Sequence, residues 1–174
     1  QYRNKAFSAR FLQEVTAIRD LCRCNAVPFL VNDNILLAKT VGADGVHLGQ
    51  NDEDPVLARN ILGPHALVGL SVSSLTELAK SDLAPCDYIG AGPVFGTRTK
   101  TDAKAAIGLA GLEALTRILP LPVVAIGGID PANAKACFTR GAAGVAVISA
   151  VTRAENPLQT ALQLSSACGC QPRA

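Results

Sequence analysis

Short apolar runs rich in β-branched residues alternate along this chain with longer amphipathic stretches. A bounded apolar run of four to eight residues is typical of a buried strand, and apolar positions three and four apart indicate a helix. The predicted strands are 27–31, 45–49, 67–72, 87–94, 122–129 and 144–149. The predicted helices are 8–23, 34–41, 54–62, 74–83, 109–119, 130–140 and 157–167. The pattern therefore predicts six strand–helix units from residue 27 onward.

Residues at the predicted helix ends agree with this division. Ser8 and Asp130 stand where an N-cap oxygen is needed, and Pro55 falls in the first turn of its helix. Gly42 and Gly141 follow predicted helix ends, where a left-handed residue commonly stops a helix. Short connections between strand and helix favour parallel strands with right-handed crossovers.

The predicted fold is an α/β class (β/α)₈ TIM barrel in a single domain over residues 1–174, with 168–174 as a frayed tail. Gln1–Lys5 would be the tail of a further strand. An eight-unit barrel then needs one more N-terminal strand–helix unit, so we expect about 30 residues before Gln1 in the natural protein. A seven-unit or open doubly wound sheet is the alternative.

Composition narrows the classes of function. Hydrophobic residues make up 49% of the chain and aromatic residues 4%, with no Trp or Met, so small aliphatic side chains must build the core. The net charge of +2 is too small to indicate nucleic acid or a membrane surface as a partner. We expect small-molecule substrates, with a homo-oligomer as a possibility.

The six cysteines do not form a zinc or disulfide pattern. They are Cys22, Cys24, Cys86, Cys137, Cys168 and Cys170. The two Cys-x-Cys pairs have the wrong spacing for a common zinc knuckle, and a buried free cysteine behaves as a small hydrophobe. A reduced, cytoplasmic setting is therefore expected.

A glycine-rich loop follows the fourth predicted strand. Residues 90–100 read Gly-Ala-Gly-Pro-Val-Phe-Gly-Thr-Arg-Thr-Lys. The glycines allow a ligand to approach the backbone, and Thr97, Thr99 and Lys100 combine small donors with a fixed positive charge. This combination is suited to a phosphate or pyrophosphate.

Two carboxylates follow neighbouring predicted strands. Asp33 and Asp52 would lie at the same end of a parallel sheet, where adjacent strands are ~5 Å apart. One or two carboxylates together with substrate phosphates commonly hold Mg²⁺. The alternative is that each aspartate caps a helix start. The pair, with a phosphate loop on the same barrel face, favours Mg²⁺ as cofactor.

Further polar groups are predicted at this face. Gln1, Arg3 and Lys5 would share one side of a strand, which is costly unless that side meets an anion or is a solvated strand end. Gly128, in Gly127-Gly128, precedes a helix start, and Ser149 ends the last predicted strand. The loops after the last two strands of such barrels usually bind phosphate.

No strong acid or base stands out. His47 reads as a packed strand residue and His65 as part of an exposed turn. A site with a metal, several cations and no obvious base suits the electrostatically assisted departure of a good leaving group.

Together these motifs resemble the thiamine-phosphate synthase family, which is related to thiazole tautomerases. The resemblance runs through seven stretches: 1–5, 31–33, 45–52, 69–71, 90–100, 125–129 and 144–150. It implies that hydroxymethylpyrimidine pyrophosphate and thiazole phosphate are joined to give thiamine phosphate and pyrophosphate. It also implies a Mg²⁺-dependent transferase with a (β/α)₈ barrel.

The resemblance assigns roles to individual residues. Asp33 and Asp52 would hold Mg²⁺, and Arg3, Lys5, Asn32 and Lys100 would bind the pyrophosphate. The remaining substrate contacts would be Gln1 at the pyrimidine, Ser71 at the leaving group or reacting centre, Thr97 and Thr99 on the thiazole-phosphate side, and Gly128 and Ser149 at its phosphate. The implied catalytic residues are Lys100, Ser71, Arg3 and Lys5.

Two positions depart from the family pattern. Members usually carry Pro where Gly96 stands, and many carry His where Ser73 stands. A tautomerase-like enzyme would need acid/base groups, and Ser73 argues against a histidine in that role. A non-catalytic phosphate-binding barrel would tolerate loss of Asp33, Asp52 and Lys100, all of which are present.

Overall fold

The computed structural model describes residues 1–97 and 104–169. It contains parallel strands, each followed by helical segments, so the predicted α/β class is confirmed. The strands are β1 (Leu30–Asn32), β2 (Gly45–Leu48), β3 (Leu67–Val72), β4 (Tyr88–Ala91), β5 (Val123–Ile126) and β6 (Gly144–Ala146). The helices are α1 (Leu12–Cys24), α2 (Ile35–Val41), α3 (Pro55–Leu62), α4 (Leu75–Leu78), α5 (Gly108–Ile118), α6 (Ala134–Thr139), α7 (Ser149–Thr152) and α8 (Pro157–Ala167).

The chain divides into two compact units. The first comprises Gln1–Ser71 and Ser81–Tyr88, and the second comprises Val72–Lys80 and Ile89–Ala174. The single barrel domain stays a prediction. Of the predicted frayed tail at 168–174, only residues 168 and 169 belong to the described part of the chain.

Strands β1, β2 and most of β3 form the sheet of the first unit. The register pairs Asn32 with His47 and His47 with Gly69, which aligns the carboxyl ends of the three strands. Tyr2 adds an isolated parallel bridge to Val31. The core beneath these strands is mainly aliphatic, as the composition predicted. It includes Val15, Phe29, Val31, Ile35, Val46, Leu48, Val68 and Leu70.

The second unit holds most of β4 with β5 and β6, again paired in parallel. Its buried side chains are Ile89, Ala91, Val94, Leu112, Leu115, Val123, Ala125, Ile129, Ala134 and Cys137, with others of the same kind. No helix within the described ranges is both long and apolar enough to cross a membrane.

Several element ends differ from the sequence prediction. Strands β4 and β5 are shorter than predicted. Val94 N–H and Phe95 N–H donate to the carbonyls of Ile126 and Gly127, but both donors lie in the loop after β4. Ser8 makes no side-chain cap bond, and a 3₁₀ turn at Ala9–Phe11 precedes α1. Asp130 caps a turn, and α6 begins only after Asn133.

Ser149 does not end the last strand. Strand β6 ends at Ala146, and Ser149 is the first residue of α7, a helix that the sequence pattern did not predict. Helix α4 is also shorter than the predicted 74–83.

Candidate functional site

Polar side chains that could bind a ligand lie at or just after the carboxyl ends of all three strands of the first unit. Asn32 ends β1 with Asp33 after it, Asp52 follows β2, and Ser71 stands near the end of β3. Because these strands are parallel and in register, their carboxyl ends lie at one edge of the sheet. The prediction that Asp33 and Asp52 follow neighbouring strands is confirmed.

Asp33 and Arg3 form an ion pair at this edge. Arg3 Nε lies 3.5 Å from Asp33 Oδ2, and both side chains are about a quarter exposed. Asp33 has a left-handed backbone with φ of 66°, and its N–H donates to the carbonyl of His47 at 3.0 Å. Such a conformation in a residue other than glycine is costly and is often found at functional sites.

Asn32 carries a buried acceptor that lacks a partner. Within the described residues its Oδ1 is inaccessible to solvent and makes no hydrogen bond. Buried polar atoms are nearly always satisfied, so this oxygen calls for a ligand group, an ion or a water molecule. The observation places an unused acceptor next in sequence to the Asp33 carboxylate.

Asp52 lies in a turn that its own carboxylate helps to close. Gly49 N–H donates to Asp52 Oδ2 at 2.6 Å, and Asp52 N–H returns a bond to the Gly49 carbonyl at 3.2 Å. A side chain at Gly49 would bring its Cβ within 2.9 Å of that oxygen. The alternative that Asp52 caps a helix start is wrong, because Asp54 caps α3 by accepting from Val56 N–H, whereas Asp52 bonds within the preceding turn.

The donor set is sparse for a metal site. Among the described residues there is no group of three or more His, Cys, Asp or Glu side chains that could hold an ion. Mg²⁺ usually keeps several waters and takes only one or two carboxylates, with substrate phosphates completing its shell. Asp33 and Asp52, with the unsatisfied Asn32 oxygen nearby in sequence, fit that kind of donor set.

The segment Gln1–Lys5 is only briefly paired. Tyr2 N–H donates to Leu30 and Asn32 N–H donates to Tyr2, both at 2.8 Å, but the ladder continues no further. Lys5 lies in a turn in which Asn4 Oδ1 accepts from Ala6 N–H at 3.0 Å. The strand alternation expected for positions 1, 3 and 5 therefore stops before Lys5.

His47 is buried, as predicted for a packed strand residue, and both of its ring nitrogens are hydrogen-bonded. Nδ1 lies 2.9 Å from the Tyr88 hydroxyl and Nε2 lies 2.8 Å from Ser71 Oγ. Sequence reasoning missed Tyr88 and gave His47 no role. No local pattern in the sequence signals this contact, because the space for the Tyr88 ring is left by Gly69 on a different strand.

Glycines also bring loops together in the second unit. Gly127 and Gly128 have φ of 93° and 66°, and a Cβ on Gly128 would lie 2.7 Å from both Phe95 Cβ and the Gly96 carbonyl. Phe95 N–H donates to the Gly127 carbonyl at 3.0 Å. The loop after β4 is thereby fixed against the loop after β5. Thr97 is half-buried on it, whereas Thr99 and Lys100 lie outside the described residues.

An ion pair fixes the far end of that loop. Lys104 Nζ bonds to Glu77 Oε1, and Ser73 N–H donates to Glu77 Oε2 at 2.8 Å. Burial opposes ionisation of the Glu77 carboxyl, but the bonds from Lys104 and Ser73 outweigh it and lower its pKa. Sequence analysis did not identify this pair, whose members are 27 positions apart.

The cysteines described here are free thiols: Cys22, Cys24, Cys86, Cys137 and Cys168. Burial, with the nearby Asp82 and Asp87 carboxylates, raises the pKa of Cys86 to about 11. Burial also raises the pKa of Cys137. Neither buried thiol is suited to act as a nucleophile.

The chain has clear relatives. A family profile described as thiamine monophosphate synthase matches residues 1–151. The chain is 46% identical over 159 residues to the thiamine-phosphate synthase of Azorhizobium caulinodans, an alignment covering 88% of this chain and 75% of the relative. It is 46% identical over 165 residues to that of Chloroflexus aurantiacus, covering 94% and 76%.

A comparison with solved structures supports the same family. Thiamine phosphate pyrophosphorylase from Pyrococcus furiosus superposes with a TM-score of 0.86 at 38% identity, covering 96% of this chain and 80% of that one. A 3-hexulose-6-phosphate synthase from Salmonella typhimurium shares only the fold, with a TM-score of 0.67 at 18% identity over 90% and 79% of the two chains. The resemblance drawn from the motifs, and the transferase activity it implied, are confirmed. The chain belongs to the thiamine monophosphate synthase family.

Proposed function

We propose that this chain joins hydroxymethylpyrimidine pyrophosphate to thiazole phosphate and releases pyrophosphate, giving thiamine phosphate. Family membership and the named function of its relatives support this reaction. The structural observation that carries it is the edge formed by Asn32, Asp33 and Ser71, with Arg3 paired to Asp33. That edge combines a cation, a carboxylate and a hydroxyl, and both ring nitrogens of the neighbouring His47 are hydrogen-bonded.

The residues there are suited to stabilising a departing anion. Pyrophosphate leaves from an electron-rich pyrimidine methylene, and the thiazole nitrogen then attacks the resulting electron-poor carbon. Arg3, Lys5 and Lys100 would neutralise the leaving charge, Asn32 and Ser71 would contact the pyrophosphate, and Gln1 would face the pyrimidine. Catalysis is then mainly positioning and electrostatic stabilisation.

The second unit would bind the other substrate. Thr97 and Thr99 would line the thiazole-phosphate side, and Gly128 with Ser149 would hold its phosphate. The left-handed Gly128 supports this assignment, because the lack of a side chain lets the two loops of this unit pack together at Phe95 and Gly96. A (β/α)₈ barrel, a cytoplasmic location and a homo-oligomer are part of the same proposal.

The reaction assay decides the function. Purified protein is incubated with both substrates and Mg²⁺, and thiamine phosphate is separated chromatographically. We expect product only when both substrates are present, with an equal amount of pyrophosphate. A proton shift within the thiazole substrate without any coupling product would instead indicate the tautomerase-like alternative.

Mg²⁺ would be held by Asp33 and Asp52, where it would neutralise pyrophosphate charge in the leaving group. A chelator should abolish turnover and added Mg²⁺ should restore it. Asp33→Asn and Asp52→Asn should each lower kcat by on the order of 10²-fold. Asp20→Asn, which alters an exposed carboxylate paired with Arg19 on α1, is the matched control. Undiminished activity in chelator would refute the metal assignment.

Lys100 can be tested by the same assay. Its charge should favour the transition state more than the ground state, so Lys100→Ala should lower kcat as well as affinity for the pyrophosphate substrate. The exposed Lys135→Ala on α6 controls for loss of a positive charge. If only KM for thiazole phosphate changes, Lys100 belongs to the other substrate.

A further inference from the structure

A continuous series of hydrogen bonds in the first unit ends at the Ser71 hydroxyl. Gln1 Nε2 donates to the Tyr88 hydroxyl at 3.1 Å. The Tyr88 hydroxyl lies 2.9 Å from His47 Nδ1, and His47 Nε2 lies 2.8 Å from Ser71 Oγ. His47 is only 3% exposed, so these partners replace water around its ring.

The sequence provides this arrangement through one glycine. His47 on β2 stands opposite Gly69 on β3. A Cβ on Gly69 would lie 2.2 Å from Tyr88 Cζ, so the tyrosine ring occupies the space that any other residue would fill. The two rings lie with their centroids 5.5 Å apart.

The backbone of Ser71 is also held in place. Gln50, in the turn after β2, donates from Nε2 to the Ser71 carbonyl at 2.8 Å and to Ser81 Oγ at 3.1 Å. Ser71 is therefore fixed through its carbonyl by Gln50 and through its hydroxyl by His47. Such double support keeps a reacting group in one geometry.

The directions of the hydrogen bonds are assigned from the amide at the far end. An amide nitrogen can only donate, so the Tyr88 oxygen accepts from Gln1. With its own hydrogen directed at His47 Nδ1, Tyr88 would favour the tautomer in which that nitrogen is the acceptor. Burial raises the pKa of Tyr88, so the hydroxyl keeps that hydrogen. His47 then carries its hydrogen on Nε2 and donates to Ser71 Oγ. The hydroxyl hydrogen of Ser71 is left to be donated to a different group.

We propose that His47 is a positioning residue that holds the Ser71 hydroxyl as a hydrogen-bond donor toward the departing pyrophosphate, with Tyr88 and Gln1 fixing the histidine tautomer. The inference rests on the proposed function for the identity of the acceptor. A hydroxyl that accepts from an imidazole N–H is polarised and donates more strongly to an anion. In this tautomer His47 cannot take a proton from Ser71, so the pair is not a serine nucleophile with its base.

The tautomer can be measured without substrate. The chain has two histidines, so long-range ¹H–¹⁵N spectra of the labelled protein contain two imidazoles, and His65→Gln identifies the remaining one as His47. We expect a neutral ring with hydrogen on Nε2 and an unprotonated Nδ1. A ring with hydrogen on Nδ1, or a doubly protonated ring, would overturn the proposal even if the enzyme makes thiamine phosphate.

The kinetic consequence is tested by a double-mutant cycle on Tyr88→Phe and Ser71→Ala. Tyr88→Phe should lower kcat on the order of tenfold with little change in KM. In the Ser71→Ala background the same change should alter kcat less than about twofold, because Tyr88 acts through Ser71. The matched control is Tyr2→Phe, which removes a hydroxyl bonded to Glu14 and Asn4 instead.

The mutant cycle and the reaction assay test different parts of the proposal. Equal fold-losses from Tyr88→Phe in both backgrounds would show a general structural role and refute positioning through Ser71. Melting curves of each variant show that the fold is intact. Absence of thiamine phosphate from the wild-type assay would refute the proposed function, whereas the tautomer measurement would still test the hydrogen-bond series.

Discussion

Gly69→Ala should destabilise the first unit through a single contact. The added Cβ would lie 2.2 Å from Cζ of Tyr88 and 2.5 Å from both Cε1 and the hydroxyl oxygen. Contacts of this kind are essentially never below 3.0 Å, so the ring must move by about 0.8 Å or rotate away. The tyrosine ring is stiff, and moving it disturbs its bonds to His47 and Gln1.

Both ways of relieving the overlap cost a similar amount. Keeping the ring in place strains the packing by about 1–3 kcal/mol. Rotating it away leaves the buried His47 Nδ1 without its partner, which costs about 1–3 kcal/mol. We therefore expect a loss of about 2 kcal/mol in unfolding free energy, and a fall in Tm of about 4–8 °C for a chain of this size.

The assay is urea and thermal unfolding of matched alanine variants. Gly144→Ala is the control, because it also lies in a strand and, among the described residues, its Cβ would meet only Val124 Cγ2 at 3.8 Å. In the Tyr88→Ala background, Gly69→Ala should cost much less than it does in the wild type, because the ring with which its Cβ would overlap is absent. If Gly69→Ala melts like Gly144→Ala, or if the two losses add, the ring does not occupy the place that the structure assigns it.

Two further predictions concern charged contacts. Arg59 donates to the Ala66 carbonyl at 2.6 Å, the Pro85 carbonyl at 2.9 Å and Asp87 Oδ2 at 2.7 Å. A lysine at this position cannot bridge all three acceptors. Arg59→Lys should therefore lower the unfolding free energy, measured in urea, by about 1–3 kcal/mol. The same change at the exposed Arg117 should stay within about 0.5 kcal/mol, and equal effects would refute the argument. The pKa of Glu77 is lower in the folded state than in the unfolded chain, where it is ~4.3. Its ion pair with Lys104 therefore contributes stability above pH ~4.3, and this stability is lost as the pH falls through the folded-state pKa. The stability difference between wild type and Glu77→Gln should therefore be constant above about pH 5.5 and shrink below about pH 4, and a difference that grows on acidification would contradict this sign.

Much of the fold was predictable because burial patterns repeat locally. The α/β class, the parallel order and the ends of α3 and α8 follow from apolar periodicity and from Pro55 and Pro157. Strand ends were harder to predict. Val94 is as buried as a strand residue, but it lies in a loop, and hydrophobicity alone does not distinguish the two.

The site was predictable only as far as strand ends carry polar residues. The sequence identified Asp33 and Ser71 because motifs mark them. It could not show that Tyr88, 41 positions after His47, would bond to that ring, since the contact depends on a gap left by Gly69 on another strand. Contacts of that kind depend on tertiary packing and leave no periodic trace along the chain.

Two features at the end of β1 oppose folding, which bears on the binding site proposed for this edge of the sheet. A left-handed residue with a Cβ costs about 1–2 kcal/mol, and Asp33 adopts that conformation. A buried acceptor without a partner costs about 1–3 kcal/mol, and Asn32 Oδ1 is such an atom within the described residues. A domain of ordinary stability has about 5–15 kcal/mol in total, so these are large local losses. Glycine at 33 and an apolar residue at 32 would remove both, and a ligand that uses the carboxylate and the amide oxygen would offset both, which supports placing the metal–pyrophosphate group at this strand end.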